Sequence, residues 1–352
     1  MTVEQFFDNF LASGVNLNKV CDGECTGSVT DCDICLVTSK YKELVEELKS
    51  ELTVLPTEDE ENQPSYFLTG SYRRHTMIRP PKDVDLFIVL DRGDYQDSEL
   101  DDVITPEALI DKLKKALEKI FENDEKIKVK EQRHSVTVAY NENFSIDVIP
   151  AFETDDGKAY KIPDIETGQD GYYITSNPKV HYEYINGVND STSVNGKKRF
   201  KRIARLLKFV KRQRFNEDPT KIRSFHFELL AAKIVENSVI SSYAEGINKF
   251  FSESSNYFDQ ASIVDPANEE NMVDDYVDKL NAKSKESIKN ELNELYQISS
   301  HAIELENSGN ETAAITEWKK IFTTNEGNTN RDGYSGGSTY VGRSPSKPWC
   351  NA

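Results

Sequence analysis

The stretch GSYRRHTMIRPPKDVDLFIVLD, Gly70 to Asp91, decides the fold class. Its second half, Asp83 to Leu90, is β-rich and reads as a largely buried strand. Two acids stand in this run, Asp83 and Asp85. A spacing of two puts both on one face of a strand, and a carboxylate in a buried strand is costly without a partner. Just upstream, Tyr66 to Leu68 reads as a short strand running into Gly70-Ser71. Glycine there lets the backbone approach an anion without a Cβ clash. The Ser71 hydroxyl can donate a hydrogen bond, and a following helical turn would aim N–H groups at the anion. Downstream, Ser135 to Tyr140 alternates Val136, Val138 and Tyr140. Phe144 to Ile149 alternates Phe144, Ile146 and Val148 against Ser145, Asp147 and Ile149. Asn141-Glu142-Asn143 is a hairpin connection between them. If these strands neighbour the first, Asp83, Asp85 and Asp147 converge. Three like charges then need a cation, and hard oxygen ligands favour Mg²⁺ or Mn²⁺. Two such ions, about 3.5–4 Å apart, clamp the attacking and leaving oxygens in phosphoryl transfer. A Gly-Ser alone is an ordinary turn, and an Asp-x-Asp alone is more often a surface strand; the order of all three elements is the specific signal.

The rest of the chain frames this core. Lys40 to Leu52 reads as an amphipathic helix, and Pro106 to about Asn123 as another, with Thr105 as N-cap. Thr57 to Pro64 and Thr154 to Asp170 are polar and irregular. Beyond Phe152 the character changes: residues 197–214, 224–236, 240–251, 271–280, 283–306 and 311–322 read as helices. The fold class is therefore α+β, a lobe with a mixed sheet followed by a mostly helical C-terminal lobe. The expected divisions are 1–39, an N-terminal helix and Cys-rich loop; 40–195, the sheet lobe; 196–322, the helical lobe; and 323–352, a flexible tail.

The chain has 352 residues and is 37% hydrophobic, enough for a real core. Its longest purely apolar run, Leu86 to Leu90, is far short of the ~18 residues a membrane span needs. The first ten residues, MTVEQFFDNF, show no secretory pattern; the expectation is a cytoplasmic protein without a membrane partner. The net charge of −18 argues against a long nucleic-acid substrate. That charge is uneven: Lys197 to Arg223 holds twelve Lys/Arg against Glu217 and Asp218. This stretch is either a solvated helix face or one wall of an anion site.

The Gly70 to Asp91 run resembles the nucleotidyltransferase superfamily whose fold is that of DNA polymerase β. More closely it resembles the bacterial oligonucleotide cyclases related to cyclic GMP-AMP synthase and the oligoadenylate synthetases, the CD-NTases. The family pattern matches Gly70, Ser71, Thr76, Pro80 and Asp83 to Leu86, with Asp147 in FSIDVIPAF as the third carboxylate. RIARLLKFVKRQR followed by SFHFELL is similar to the helix pair that holds the triphosphate in relatives. The resemblance implies a polymerase-β-like nucleotidyltransferase lobe in which Asp83, Asp85 and Asp147 bind two Mg²⁺ or Mn²⁺ ions. It implies nucleotide contacts from Gly70, Ser71, Lys208 and Ser224, with Phe225 stacking on a base. The implied activity is synthesis of a cyclic di- or trinucleotide from nucleoside triphosphates, ATP among them, with release of pyrophosphate. The implied setting is bacterial antiphage (CBASS) signalling, with a downstream effector that senses the product. The rivals are a template-independent RNA nucleotidyltransferase and a catalytically idle interaction module of the same fold.

Four of the five cysteines cluster as C-x3-C-x6-C-x2-C: Cys21, Cys25, Cys32 and Cys35. A tetrahedral zinc site is one reading, although its middle spacing is short; a loop of reduced thiols is the other. Disulfides are disfavoured in a cytosolic protein. Of the last 30 residues 19 are Gly, Ser, Thr, Asn or Pro, so no core forms there. Some CD-NTase relatives are conjugated through such a tail by a ubiquitin-activating-like partner.

Overall fold

The computed structural model describes residues 1–19, 32–56, 64–97, 102–165, 172–217 and 220–322. In chain order, α1 (Val3–Phe10) runs into a π-helical turn, Leu11–Val15, and is followed by α2 (Asp33–Glu51). β1 (Tyr66–Leu68), the short α3 (Gly70–Arg73) and β2 (Val84–Val89) come next. A small ribbon of β3 (Gln96–Asp97) and β4 (Asp102–Val103) precedes α4 (Pro106–Ile120). Then come β5 (Lys128–Glu131), β6 (Val136–Asn141), β7 (Phe144–Glu153), β8 (Tyr160–Asp164) and β9 (Tyr172–Ser176). The remainder is α5 (Pro178–Ser191), α6 (Phe200–Arg214), α7 (Ser224–Val235), α8 (Tyr243–Ser254), a ribbon of β10 (Val264–Asp265) and β11 (Asn268–Met272), α9 (Ala282–Asn307) and α10 (Glu311–Phe322). Two compact units result. One holds residues 17–184 with 266–268; the other holds residues 1–16, 185–265 and the chain from Glu269 on.

The sheet of the first unit runs β1-β2-β7-β6-β5, with β8 on β7 and β9 on β8. β2 and β7 are parallel; the β1–β2, β6–β7 and β5–β6 pairs are antiparallel. The sheet is therefore mixed. Its strands alternate as the pattern requires. Val84, Leu86, Ile88, Val136, Val138, Ile146 and Val148 point to one face and share a core with Val37, Leu44, Val45 and Leu48 of α2 and Leu109, Ile110, Leu113 and Leu117 of α4. Phe87, Ile149 and Ala151 lie on the other face, where they pack with Ile162, Phe67 and Tyr160. Asp85 and Asp147 belong to this second face. α4 starts as expected, with the Ala108 N–H donating to the Thr105 hydroxyl at 3.3 Å and Pro106 in the first turn.

α2 begins at Asp33, seven residues ahead of the amphipathic pattern, because Ile34, Cys35 and Val37 are also buried and Cys32 caps the helix. Strand β2 begins one residue late: Asp83 stands outside it with φ 51°, in the left-handed region.

In the helical unit, Phe200, Ile203, Ala204, Leu207 and Val210 form the buried stripe of α6. α7 is buried nearly all round from His226 to Val235 and so lies at the centre. α1 joins this unit: Phe7 packs edge-on against Trp318 and Phe322, with ring centroids 5.0 and 5.9 Å apart. The helix expected over 271–280 is instead the end of β11 and a 3-10 turn at Asp275–Lys279. The buried Asp274 carboxylate accepts the Ser262 and Ile263 N–H groups at 2.9 and 3.0 Å, and this side chain-to-backbone capping outcompetes a helix.

Part of the basic stretch is neutralised within its own unit. Arg199 pairs with Glu4, Lys198 with Asp190, Lys208 with Glu228, Arg214 with Glu291 and Arg223 with Asp275, at 2.7–3.2 Å. No described helix is long and apolar enough to cross a membrane.

Candidate active site

The register of three strands builds the site. β1 runs antiparallel to β2 with Leu68 opposite Leu86, so the chain leaving β1 arrives beside Asp85. There the Thr69 N–H donates to the Asp85 carbonyl at 2.9 Å. Gly70 follows with φ +62°. A Cβ on Gly70 would lie 1.7 Å from Oδ2 of Asp85, so glycine is required both by the backbone and by the approach. The turn is closed from behind, where the Thr76 and Met77 N–H groups donate to the Ser71 carbonyl at 2.9 and 3.0 Å.

Asp85 and Asp147 are direct cross-strand partners on β2 and β7, and Thr137 of β6 is the partner of Asp147 on its other side. The Thr137 hydroxyl donates to Oδ1 of Asp147 at 2.5 Å. Asp83 lies one row nearer the start of β2, where the Ser145 hydroxyl donates to its Oδ1 at 3.0 Å. Burial pushes the Asp147 carboxyl up from its ordinary range, and the nearby Asp83 charge adds to the shift, while the Thr137 hydrogen bond opposes it. Gly70, Ser71, Asp83, Asp85 and Asp147 thus fall in one unit. The three aspartates form a rim of carboxylates on the sheet face away from α2 and α4, with the Gly70-Ser71 turn against Asp85. Among the described residues no three His, Cys, Asp or Glu side chains close to ligand distance of a common point. The donor set, three hard carboxylates with hydroxyl support, nevertheless suits Mg²⁺ or Mn²⁺. Nearby, the Arg73 guanidinium stacks over the Tyr182 ring at 4.9 Å.

The profile of the Second Messenger Oligonucleotide or Dinucleotide Synthetase domain matches residues 1–189. The chain belongs to this family. A cyclic AMP-AMP-AMP synthase from an Acinetobacter strain is 30% identical over 175 residues. That match spans 47% of this chain and 45% of the relative, so the chain covers about half the relative's length. Among solved structures, E. coli MS115-1 CdnC in complex with HORMA-deltaN has a TM-score of 0.62 at 20% identity, covering 91% of this chain and 96% of that one. Vibrio cholerae DncV, a cyclic AMP-GMP synthase, has 0.55 at 15% identity, covering 73% and 68%. Elizabethkingia meningoseptica CdnE, a cyclic dinucleotide synthase solved with GTP and Apcpp, has 0.53 at 19% identity, covering 84% and 98%. At these identities the structures speak for the fold, that of the polymerase-β-like CD-NTases.

Lys208, Ser224 and Phe225 belong to the helical unit. Ser224 is the exposed first residue of α7, and Phe225 is half-buried. Lys208 is buried and its ammonium pairs with the fully buried Glu228 at 3.1 Å. Sequence reading passed over Lys211, one helical turn along α6. Lys211 is 7% exposed, and burial lowers its pKa to about 8, helped by the cations Lys221, Lys208 and Arg212. Those charges repel it, so an added anion there would relieve the repulsion. The signal was its i+3 spacing from Lys208 on the same helix face.

Of the zinc candidates, Cys21 and Cys25 lie outside the described residues. Cys32 and Cys35 are joined as a disulfide, with Cα atoms 5.2 Å apart, contrary to the expectation of reduced thiols. The first turn of α2 brings the two sulfurs together, since the Cys35 N–H donates to Sγ of Cys32 at 3.2 Å. A disulfide sulfur is not a thiolate, so a zinc ligand set would require that bond to be reduced. The tail, with Cys350, also lies outside the described residues.

Proposed function

We propose that this protein is a metal-dependent nucleotidyltransferase that joins nucleoside triphosphates into a cyclic di- or trinucleotide and releases pyrophosphate, as a cytoplasmic enzyme of bacterial antiphage signalling. The observation that carries the reading is the contact of Gly70 with Asp85 beside the Asp85–Asp147 register pair. It puts a phosphate-compatible backbone turn against a carboxylate rim, in a member of this family. The name of the Acinetobacter relative supports ATP as a substrate and a triadenylate ring as the first product to seek.

In this reading Asp83, Asp85 and Asp147 hold two Mg²⁺ or Mn²⁺ ions. When bound, the ions supply charge neutralisation at the α-phosphate and acidify the attacking ribose hydroxyl. Gly70 and Ser71 orient the phosphates, the Ser71 hydroxyl as donor. The family resemblance makes Lys208 and Ser224 of the helical unit, with Ser224 opening α7, the candidate contacts for the triphosphate, and Lys211, one helical turn beyond Lys208, a further candidate. Phe225 offers its ring to a base. Asp147, whose proton affinity is raised by burial, accepts the proton of the attacking ribose hydroxyl. The hydroxyl oxygen bonds to the α-phosphorus as the bond to the bridging oxygen of pyrophosphate breaks. A second or third transfer closes the ring. A downstream effector that senses the ring, and a ubiquitin-activating-like partner at the tail, belong to the same proposal.

The test is incubation with labelled NTPs and Mg²⁺ or Mn²⁺, then phosphatase. The expected result is a resistant product that disappears in a folded Asp83→Ala variant. A product that needs an RNA primer, or retained synthesis in that variant, refutes the reading.

A further inference from the structure

Two hydroxyl groups have no part in the chemistry above, yet each is aimed at one of its carboxylates. Thr137 stands directly across from Asp147 on antiparallel strands, with Asp85 across from Asp147 on the other side. Cross-strand partners project to the same face. The three side chains thus form one row, Thr137–Asp147–Asp85. Two residues back along β7, Ser145 faces the row of Asp83 and donates to it.

A threonine hydroxyl has one proton to give. The Thr137 proton goes to Oδ1 of Asp147 and the Ser145 proton to Oδ1 of Asp83. Thr137 is well suited to hold its bond. Its χ1 is stiff because it is β-branched, and its chain neighbours Val136 and Val138 are fully buried, which fixes β6 in place. Asp83 needs its bond for a different reason. It is exposed, lies outside β2, and has a left-handed backbone, so strand geometry does not hold its side chain. In both cases one carboxylate oxygen is committed to a neighbouring hydroxyl.

We propose that Thr137 and Ser145 are positioning residues of the metal site, fixing Asp147 and Asp83 through one oxygen each so that the other oxygens are presented to a divalent cation. The proposal rests on reading the site as a metal-dependent centre. It assigns function to positions that would otherwise be a routine β-former and a strand serine. Losing such an outer partner typically weakens metal binding by about 10–100-fold.

The experiment is titration of the full chain with Mn²⁺ alone, following free Mn²⁺ by electron paramagnetic resonance. Wild type is compared with Thr137→Val, Thr137→Ser and Ser145→Ala. Valine keeps the shape and β-propensity of threonine and removes only the donor, so a purely structural role predicts unchanged binding. The expected result is Mn²⁺ affinity lower by about 10-fold or more in Thr137→Val and Ser145→Ala, with Thr137→Ser near wild type. Thermal unfolding without metal checks that each variant is folded; should Thr137→Val fail to fold, Ser145→Ala carries the test. Wild-type binding with equal affinity in the folded donor-less variants overturns this proposal and leaves the metal reading standing. No Mn²⁺ binding by wild type overturns both.

Discussion

Replacing Gly70 by alanine tests the site through a single added carbon. Two costs separate cleanly. The backbone at φ +62° disfavours any L-residue, at about 1–2 kcal/mol. The second cost is steric. The new Cβ would sit 1.7 Å from Oδ2 of Asp85, where real contacts are essentially never under 3.0 Å, so the turn or the carboxylate must move by about 1.3 Å. A misplacement of about 1 Å in a catalytic group costs on the order of 10²-fold in rate. Gly196 supplies the control. Its φ is +73° and nothing lies within 4 Å of its added Cβ, so Gly196→Ala carries the backbone cost alone. Gly196→Ala should lose about 1–2 kcal/mol of stability in denaturant titration, and Gly70→Ala at least as much, because the steric cost adds to it. Pyrophosphate release under saturating NTP should fall about 100-fold in Gly70→Ala and stay at the wild-type rate in Gly196→Ala. Near wild-type synthesis by a folded Gly70→Ala protein would refute the claim that the Gly70–Asp85 approach matters to the chemistry.

Three further outcomes follow from buried charges. Lys208→Met should destabilise the helical unit by about 3 kcal/mol in chemical denaturation, because it removes the cation 3.1 Å from the buried Glu228 carboxylate; the double variant with Glu228→Leu should recover most of the loss. Lys211→Met, which keeps the buried stem, should leave the protein folded and raise the KM for ATP. In wild type that KM should climb as pH passes about 8, where the free lysine loses its proton; a flat KM between pH 7 and about 9 contradicts this. His226 is buried and neutral, its pKa lowered from 6.5 to about 3, chiefly by burial and further by Arg223. The unfolded chain therefore binds the proton first as pH drops, and this residue's contribution to stability is lost between pH 6.5 and about 3. His226→Asn should flatten that limb of the stability profile measured by thermal melts.

The parts of the fold that follow from periodicity were legible in the residues. Alternation in Phe144 to Ile149 put Asp147 on the face opposite Ile146 and Val148, and the register with β2 bears that out. The stripe of α6 and the start of α4 follow from the same rule. Departures from repeat geometry were not legible. Asp83 adopts a left-handed backbone, which aspartate tolerates better than most residues but does not impose, so its strand place was overextended by one residue. The chain from Asn271 to Leu280 carries helical spacing, but Asp274 spends its carboxylate on two distant N–H groups. Lys208 and Glu228 lie twenty residues apart, and no local pattern announces that they meet. A run of positive charge hides its partners in the same way. The acids that answer Arg199 and Arg214 are Glu4 and Glu291, far from them along the chain and on opposite sides.

The packing of α1 against α10 has a consequence for biosynthesis. Phe7 rests on Trp318 and Phe322, and the Val3 N–H donates to Oε2 of Glu311 at 2.7 Å. A ribosome adding about 5–20 residues per second delivers these partners tens of seconds apart. Residues 17–184 emerge in that interval as a unit with its own core, free to fold while the first helix waits. Until α10 appears, Phe7 lacks the rings of Trp318 and Phe322, and Phe10 lacks that of Phe322. Emergence of α10 is therefore the step that closes the helical unit, and a chain that stops short of it cannot assemble that packing.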